Sequence, residues 1–150
     1  MNNSTQILIV EDEKNLGETL HDYLKNKNFS CDLAITAQMA EQKFKENNPN
    51  IVLMDIGLPD GSGIDLARKW REKSKNFVLL FLSAQNNPAT RLEALELGGD
   101  DYITKPFELK ELTLRLEKIL KAQNFADTLP EIITHGPLKI YFKRFEIESA

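Results

Sequence analysis

The stretch Ile51-Val52-Leu53-Met54-Asp55 decides the fold. Four apolar residues without alternation are the mark of a strand covered on both faces by helices. A carboxylate stands at its end, and Ile56-Gly57-Leu58-Pro59-Asp60-Gly61 follows as a loop rich in turn residues. Ile7 to Val10 and Phe77 to Leu82 repeat the unalternating pattern, so these three runs are expected at the centre of a sheet. A weaker run from Phe29 to Ile35 and a short one at Tyr102-Ile103 complete the set.

Between these runs the apolar residues take helical spacing. Leu16, Leu20 and Leu24 step by four, Ala37, Ala40 and Phe44 by three and four, and Leu109, Leu112, Leu116 and Ile119 continue the pattern. Leu66 with Trp70, and Leu92 with Leu95, mark two more helices. Asn47-Asn48-Pro49-Asn50 ends one helix, Pro88 opens another and Gly98-Gly99 closes it. Five strand-helix units in alternation argue for an α/β fold, a doubly wound parallel sheet with right-handed crossovers.

At 150 residues the chain holds one ordinary domain and a modest extension, enough to bury about 70% of its unfolded surface without disulfide or structural metal. Cys31 is the single cysteine, which excludes an internal disulfide framework and fits a reducing compartment. The longest apolar run is far short of a membrane span, and Met1 to Gln6 lacks the features of a signal peptide, so a cytoplasmic location without membrane association is expected. With 19 basic and 23 acidic residues, a net charge of -4 disfavours nucleic-acid binding by this chain.

In a parallel sheet the carboxyl ends of all strands share one edge, where ligands sit. Glu11-Asp12-Glu13, Asp55, Ser83 and Lys105 follow strands one, three, four and five, so they converge on one pocket. Crowded carboxylates repel one another unless a cation lies between them, and oxygen ligands select a hard divalent ion such as Mg²⁺. Asp12 and Asp55 are expected as direct ligands, the Gly57 backbone carbonyl as a third, and Glu11 through water. Lys105 and Ser83 suit phosphoryl oxygens. The set points to phosphoryl transfer onto a carboxylate, with Asp55 the nucleophile.

Four segments then carry a family resemblance: Ile7-Leu8-Ile9-Val10-Glu11-Asp12, Leu53-Met54-Asp55-Ile56-Gly57-Leu58-Pro59-Asp60-Gly61, Leu82-Ser83-Ala84, and Gly98-Gly99-Asp100-Asp101-Tyr102-Ile103-Thr104-Lys105-Pro106-Phe107. In this order they resemble the receiver domain of two-component response regulators, over residues 5–122. The resemblance implies a flavodoxin-like (βα)5 sheet in order 2-1-3-4-5, phosphorylation of Asp55 by a sensor histidine kinase with Mg²⁺, and a cis Lys105-Pro106 bond. It implies a phosphoacceptor switch that catalyses only its own phosphorylation and dephosphorylation, not an enzyme acting on other substrates. Ser83 and Tyr102 would relay the switch to the face of the fourth helix, fifth strand and fifth helix. In OmpR/PhoB-type members that face forms a homodimer, and Arg91, Asp100, Asp101, Glu111 and Arg115 stand at similar positions.

After Lys121 the texture changes. Residues 123–130 read as a linker, and 131–150 as a short antiparallel β extension split by His135-Gly136-Pro137 and Lys143-Arg144. Thr134 to Ile140 and Phe145 to Ile147 resemble the start of an OmpR-type winged-helix effector domain. The expectation is an incomplete effector whose missing part would read DNA and control transcription.

Each residue also has a plainer reading. Glu11-Asp12-Glu13 could be a solvated helix start, Asp55 turn chemistry, Ser83 a cap, Lys105 a surface lysine, Tyr102 packing, and the charges from Arg91 to Arg115 a wet helix face. Joint placement at strand ends is what favours the pocket. A nucleotide or flavin binder would need a glycine-rich or hydroxyl-rich first loop where this one is acidic. The remaining alternative is a stand-alone receiver acting through protein contacts. Gln85 and Gly57 flank the site, and the Gly98-Gly99 pair and Asn86-Asn87-Pro88 depart from the family pattern.

Overall fold

A computed structural model describes residues 5–84 and 87–128. In chain order its elements are β1 (Gln6–Val10), α1 (Lys14–Lys25), β2 (Ser30–Ala34), α2 (Ala37–Asn47), β3 (Ile51–Asp55), β4 (Gly57–Leu58), β5 (Gly61–Ser62), α3 (Gly63–Lys73), β6 (Val78–Ser83), α4 (Pro88–Glu96), β7 (Asp101–Thr104) and α5 (Leu109–Thr128). Two compact units divide the chain, Met1–Arg115 and Leu116–Ala150; the sheet and its first four helices belong to the first.

Five strands form one all-parallel sheet in order β2-β1-β3-β6-β7. With the small antiparallel pair β4-β5 counted apart, this is the expected 2-1-3-4-5 order of a doubly wound α/β fold. Every residue of β3 and of β6 is buried, as their unalternating apolar runs require. β2 lies at the sheet edge and buries only Ala34, in keeping with its mixed sequence.

Local chemistry sets the helix ends. Thr36 caps α2 by accepting the Met39 N–H, and Asn48, at φ 50°, turns the chain out of it. Ser62 accepts the Ile64 and Asp65 amides at the start of α3. Asn87 caps α4, with Pro88 at its first position as the sequence anticipates. In the core, the buried Trp70 stacks on Phe44 with ring centroids 4.1 Å apart, while its indole N–H donates to Glu41.

The fifth helix runs further than its apolar spacing marks. The expected linker over residues 123–130 is helical through Thr128, because neither glycine nor proline occurs between Leu109 and Thr128 and the next breaker is Pro130. The β extension and effector start expected at 131–150, and Gln85, expected to flank the site, lie outside the described residues. Among the described residues no helix is long and apolar enough to cross a membrane.

Candidate functional site

The reversal of strand order falls between β1 and β3, so their carboxyl ends open a crevice. Glu11 leaves β1 still on the ladder, its N–H donating to the Ala34 carbonyl at 3.0 Å. That keeps its side chain inside, with no exposed surface, while Asp12 turns outward to solvent. Glu11 Oε2 accepts the Glu13 N–H at 3.1 Å, which bends the chain toward α1. Asp55 ends β3 at 5% exposure, and its Oδ1 accepts the Gly57 N–H at 3.2 Å.

Carboxylate oxygens of Glu11, Asp12 and Asp55 lie within 4.8 Å of one another. Lys105 enters from the end of β7, where its N–H donates to the Ser83 carbonyl at 2.7 Å. Its ammonium donates to Glu11 Oε2 at 3.0 Å and reaches Asp55 Oδ2 at 3.5 Å. The peptide between Lys105 and Pro106 is cis, as expected. Ser83, at the end of β6 and 2% exposed, is in register with Thr104 on the same rim.

The electrostatics of the cluster are unbalanced. Burial first, then the hydrogen bond with Asp12 and the charge of Glu11, push the Asp55 carboxyl up to about 7, against the opposing pull of Lys105. Burial works to lower the Lys105 ammonium, but the hydrogen bond and charge of Glu11 and the charge of Asp55 raise it above the ordinary lysine value. Three carboxylates thus share one ammonium. Glu11 Oε1 is buried and lies 2.8 Å from the Lys105 ammonium. An all-oxygen donor set with excess negative charge fits a hard divalent cation of the Mg²⁺ type.

The sequence therefore anticipates the cluster, and the structure brings Glu11, Asp12, Asp55, Ser83 and Lys105 to one rim. Tyr102 lies apart from it, 3% exposed on β7, with its ring 6.4 Å from that of Phe81 and 5.6 Å from the Arg91 guanidinium. Arg115 donates to Asp101 at 2.9 Å and to Glu111 at 3.0 Å, so these three do form a charged group. Asp100 does not join them. It accepts the Leu79 N–H at 2.8 Å and pairs at 3.2 Å with Arg71, which is itself 8% exposed. Position 100 precedes β7, and within the chain its carboxylate is held by α3 and β6 rather than by Arg115.

Two positions escaped the sequence reading. Arg71 ties α3 to the loop before β7, donating to the Gly98 carbonyl at 2.8 Å and to the Phe77 carbonyl at 2.8 Å. A lone arginine at the end of an amphipathic helix gives no sign of such burial. Gly63 packs so closely on β3 that a Cβ there would stand 2.1 Å from the Asp55 carbonyl oxygen. The third glycine of Gly57, Gly61 and Gly63 was its only signal.

Comparison with known proteins agrees with this geometry. Residues 7–117 match the family described as "Response regulator receiver domain". The chain is 36% identical over 121 residues to the transcriptional regulatory protein RprY of Bacteroides fragilis, covering 81% of this chain and 51% of that protein. It is 36% identical over 146 residues to the transcriptional regulatory protein SrrA of Staphylococcus aureus, covering 97% of this chain and 60% of SrrA. It thus spans little more than half the length of these relatives. The non-phosphorylated HemR receiver domain from Leptospira biflexa superposes with a TM-score of 0.74 at 41% identity, over 77% of this chain and 94% of that one. A two-component response regulator from Clostridium difficile does so with a TM-score of 0.77 at 32% identity, over 81% and 99%.

Proposed function

Because the chain belongs to the response regulator receiver family, we propose that Asp55 accepts a phosphoryl group from the phosphohistidine of a sensor kinase. The observation that carries this reading is the meeting of Glu11, Asp12 and Asp55 oxygens within 4.8 Å, with the Lys105 ammonium 3.5 Å from Asp55 Oδ2. One Asp55 oxygen attacks phosphorus, the phosphorus–nitrogen bond breaks, and the imidazole leaves with that electron pair.

Asp12, Asp55 and the Gly57 carbonyl would hold Mg²⁺, with Glu11 acting through water. When bound, the ion neutralises the carboxylates and the incoming phosphoryl oxygens. Lys105 supplies a second positive charge to those oxygens, and the Ser83 hydroxyl a hydrogen bond. Donor access is supported by a groove of about 460 Å³ lined by Glu13, Leu16, Ala84, Lys105, Pro106 and Phe107. The chain catalyses only its own phosphorylation and dephosphorylation.

The new phosphoryl contacts exist in one state only, so phosphorylation shifts a two-state equilibrium in which Ser83 and Tyr102 move. The output is a homodimer through α4, β7 and α5, in which Arg91, Asp101, Glu111 and Arg115 exchange partners between copies. Transcription control is supported by the 146-residue match to the transcriptional regulatory protein SrrA, which continues past residue 117; a DNA-binding effector and a cytoplasmic location belong to the same proposal. The test is incubation with acetyl phosphate and Mg²⁺. The native chain gains the mass of one phosphoryl group and Asp55→Ala does not; no gain in the former, or equal gain in both, refutes the mechanism.

A further inference from the structure

The loop that follows Asp55 is tied at its tip to a different helix. Asp60 Oδ1 accepts the Ala37 N–H at 2.7 Å and Oδ2 accepts the Gln38 N–H at 3.2 Å. Both amides lie in the first turn of α2, where no intrahelical acceptor exists, and Thr36 takes the next, from Met39, at 3.1 Å. A carboxylate is the stronger partner there because the helix start is electropositive. The bond from Ala37 holds the Asp60 carboxyl below the usual carboxylate range, so the pairing is charge-assisted at neutral pH.

The path from this tip back to the phosphoacceptor is short. Leu58 pairs with Gly61 and Gly57 with Ser62, the two rungs of β4-β5. Pro59 presets the turn between them. At the root, the Gly57 N–H returns to Asp55 Oδ1 at 3.2 Å. A Cβ added at Gly57 would meet nothing within 4 Å, so side-chain packing does not hold that residue in place. Its contacts are backbone ones, the β4-β5 rung to Ser62 and the bond to Asp55, and the tip of that hairpin is bonded through Asp60 to α2.

We propose that Asp60 is a positioning residue, which by fastening the β4-β5 hairpin to the start of α2 holds the Gly57 amide and carbonyl in place beside Asp55. The magnesium arm of this inference rests on the reading of Gly57 as a carbonyl ligand; the tether itself does not. Asp60 acts through the backbone and touches no reacting atom.

The test uses the full chain with three substitutions, Asp60→Ala, Asp60→Asn and Thr36→Ala. Two quantities are read: hydrogen exchange of the Gly57 amide in EDTA, and the Mg²⁺ dissociation constant by titration. Asp60→Ala should speed Gly57 exchange about tenfold and weaken Mg²⁺ binding about fivefold. Asp60→Asn keeps an oxygen for the Ala37 amide and restores part of both. Thr36→Ala removes a cap from the same helix without touching the hairpin, so it lowers the melting temperature yet leaves both readouts at their native values. The tether is overturned if Asp60→Ala leaves Gly57 exchange unchanged, or if Thr36→Ala moves it as far. Failure of the native chain to take up Mg²⁺ would strike the functional reading instead, and the exchange measurement would still decide the tether.

Discussion

The Lys105 ammonium lies 2.8 Å from Oε1 of Glu11 and 3.5 Å from Oδ2 of Asp55, so the nearer partner is the carboxylate with no exposed surface. Before any phosphoryl group arrives, this lysine is the counter-ion of a buried glutamate. Lys105→Met should therefore cost about 3 kcal/mol in metal-free protein, because it strands a charge away from water. Adding Glu11→Gln should recover most of that loss. Urea denaturation of the two single variants and the double variant in EDTA measures the coupling. Simple additivity would show that the two side chains do not support each other.

The Asp55 carboxyl gives the metal-free chain a pH dependence. Its value near 7 in the folded state lies above the ordinary 3.8, so the folded chain binds this proton more tightly than the unfolded one. The stabilisation is complete below the ordinary value and is lost as pH rises through about 7. In EDTA the urea midpoint should fall between about pH 4 and about pH 7, and Asp55→Asn should flatten the curve. Saturating Mg²⁺ should remove the slope, since a bound cation favours the charged form. A slope that survives Asp55→Asn would place its origin elsewhere.

Two glycines that follow Asp55, Gly57 in β4 and Gly63 at the start of α3, should respond in opposite ways. At Gly63 an added Cβ meets the Asp55 backbone oxygen at 2.1 Å, which only a shift of α3 or β3 can relieve. Gly63→Ala should lose more than about 3 kcal/mol or fail to fold. Gly57→Ala, with open space around the added carbon, should stay within about 0.5 kcal/mol of the native chain and still be phosphorylated. Equal urea midpoints for the two variants would contradict the close approach of α3 to β3.

Asp100 and Arg115 should separate stability from assembly. Asp100 is bound to Leu79 and Arg71, so Asp100→Asn should cost about 1 to 3 kcal/mol and leave self-association intact. Arg115 is paired at a partly exposed face, so Arg115→Ala should change stability by less than about 1 kcal/mol and abolish the dimer. Sedimentation of beryllofluoride-loaded chains reads both. If the loaded native chain sediments only as a monomer, there is no dimer for Arg115 to build.

Much of this was legible in the residue order. The unalternating runs at Ile7, Ile51 and Phe77 identified the buried strands because a parallel strand must be apolar on both faces. Carboxylates directly after two of those runs then had to share an edge. The fate of Asp100 and Asp101 shows where that logic stops. They are adjacent and chemically identical, yet one turns to Arg71, 29 residues away, and the other to Arg115, 14 residues away. Asp100 stands just before β7 and Asp101 is its first strand residue, and which arginine each meets depends on how the helices pack.

The sequence by itself determined the alternation of strands and helices, the sheet order through its family motifs, and the identity of the groups at the strand ends. Only the tertiary structure decided that Lys105 leans on Glu11, that Gly63 must lack a side chain, and that Asp60 fastens its loop to α2. The reason is physical. Periodicity and turn chemistry are local properties of the chain, whereas these contacts join residues 94, 8 and 23 positions apart, and depend on ångström-scale distances that emerge only once the elements are packed.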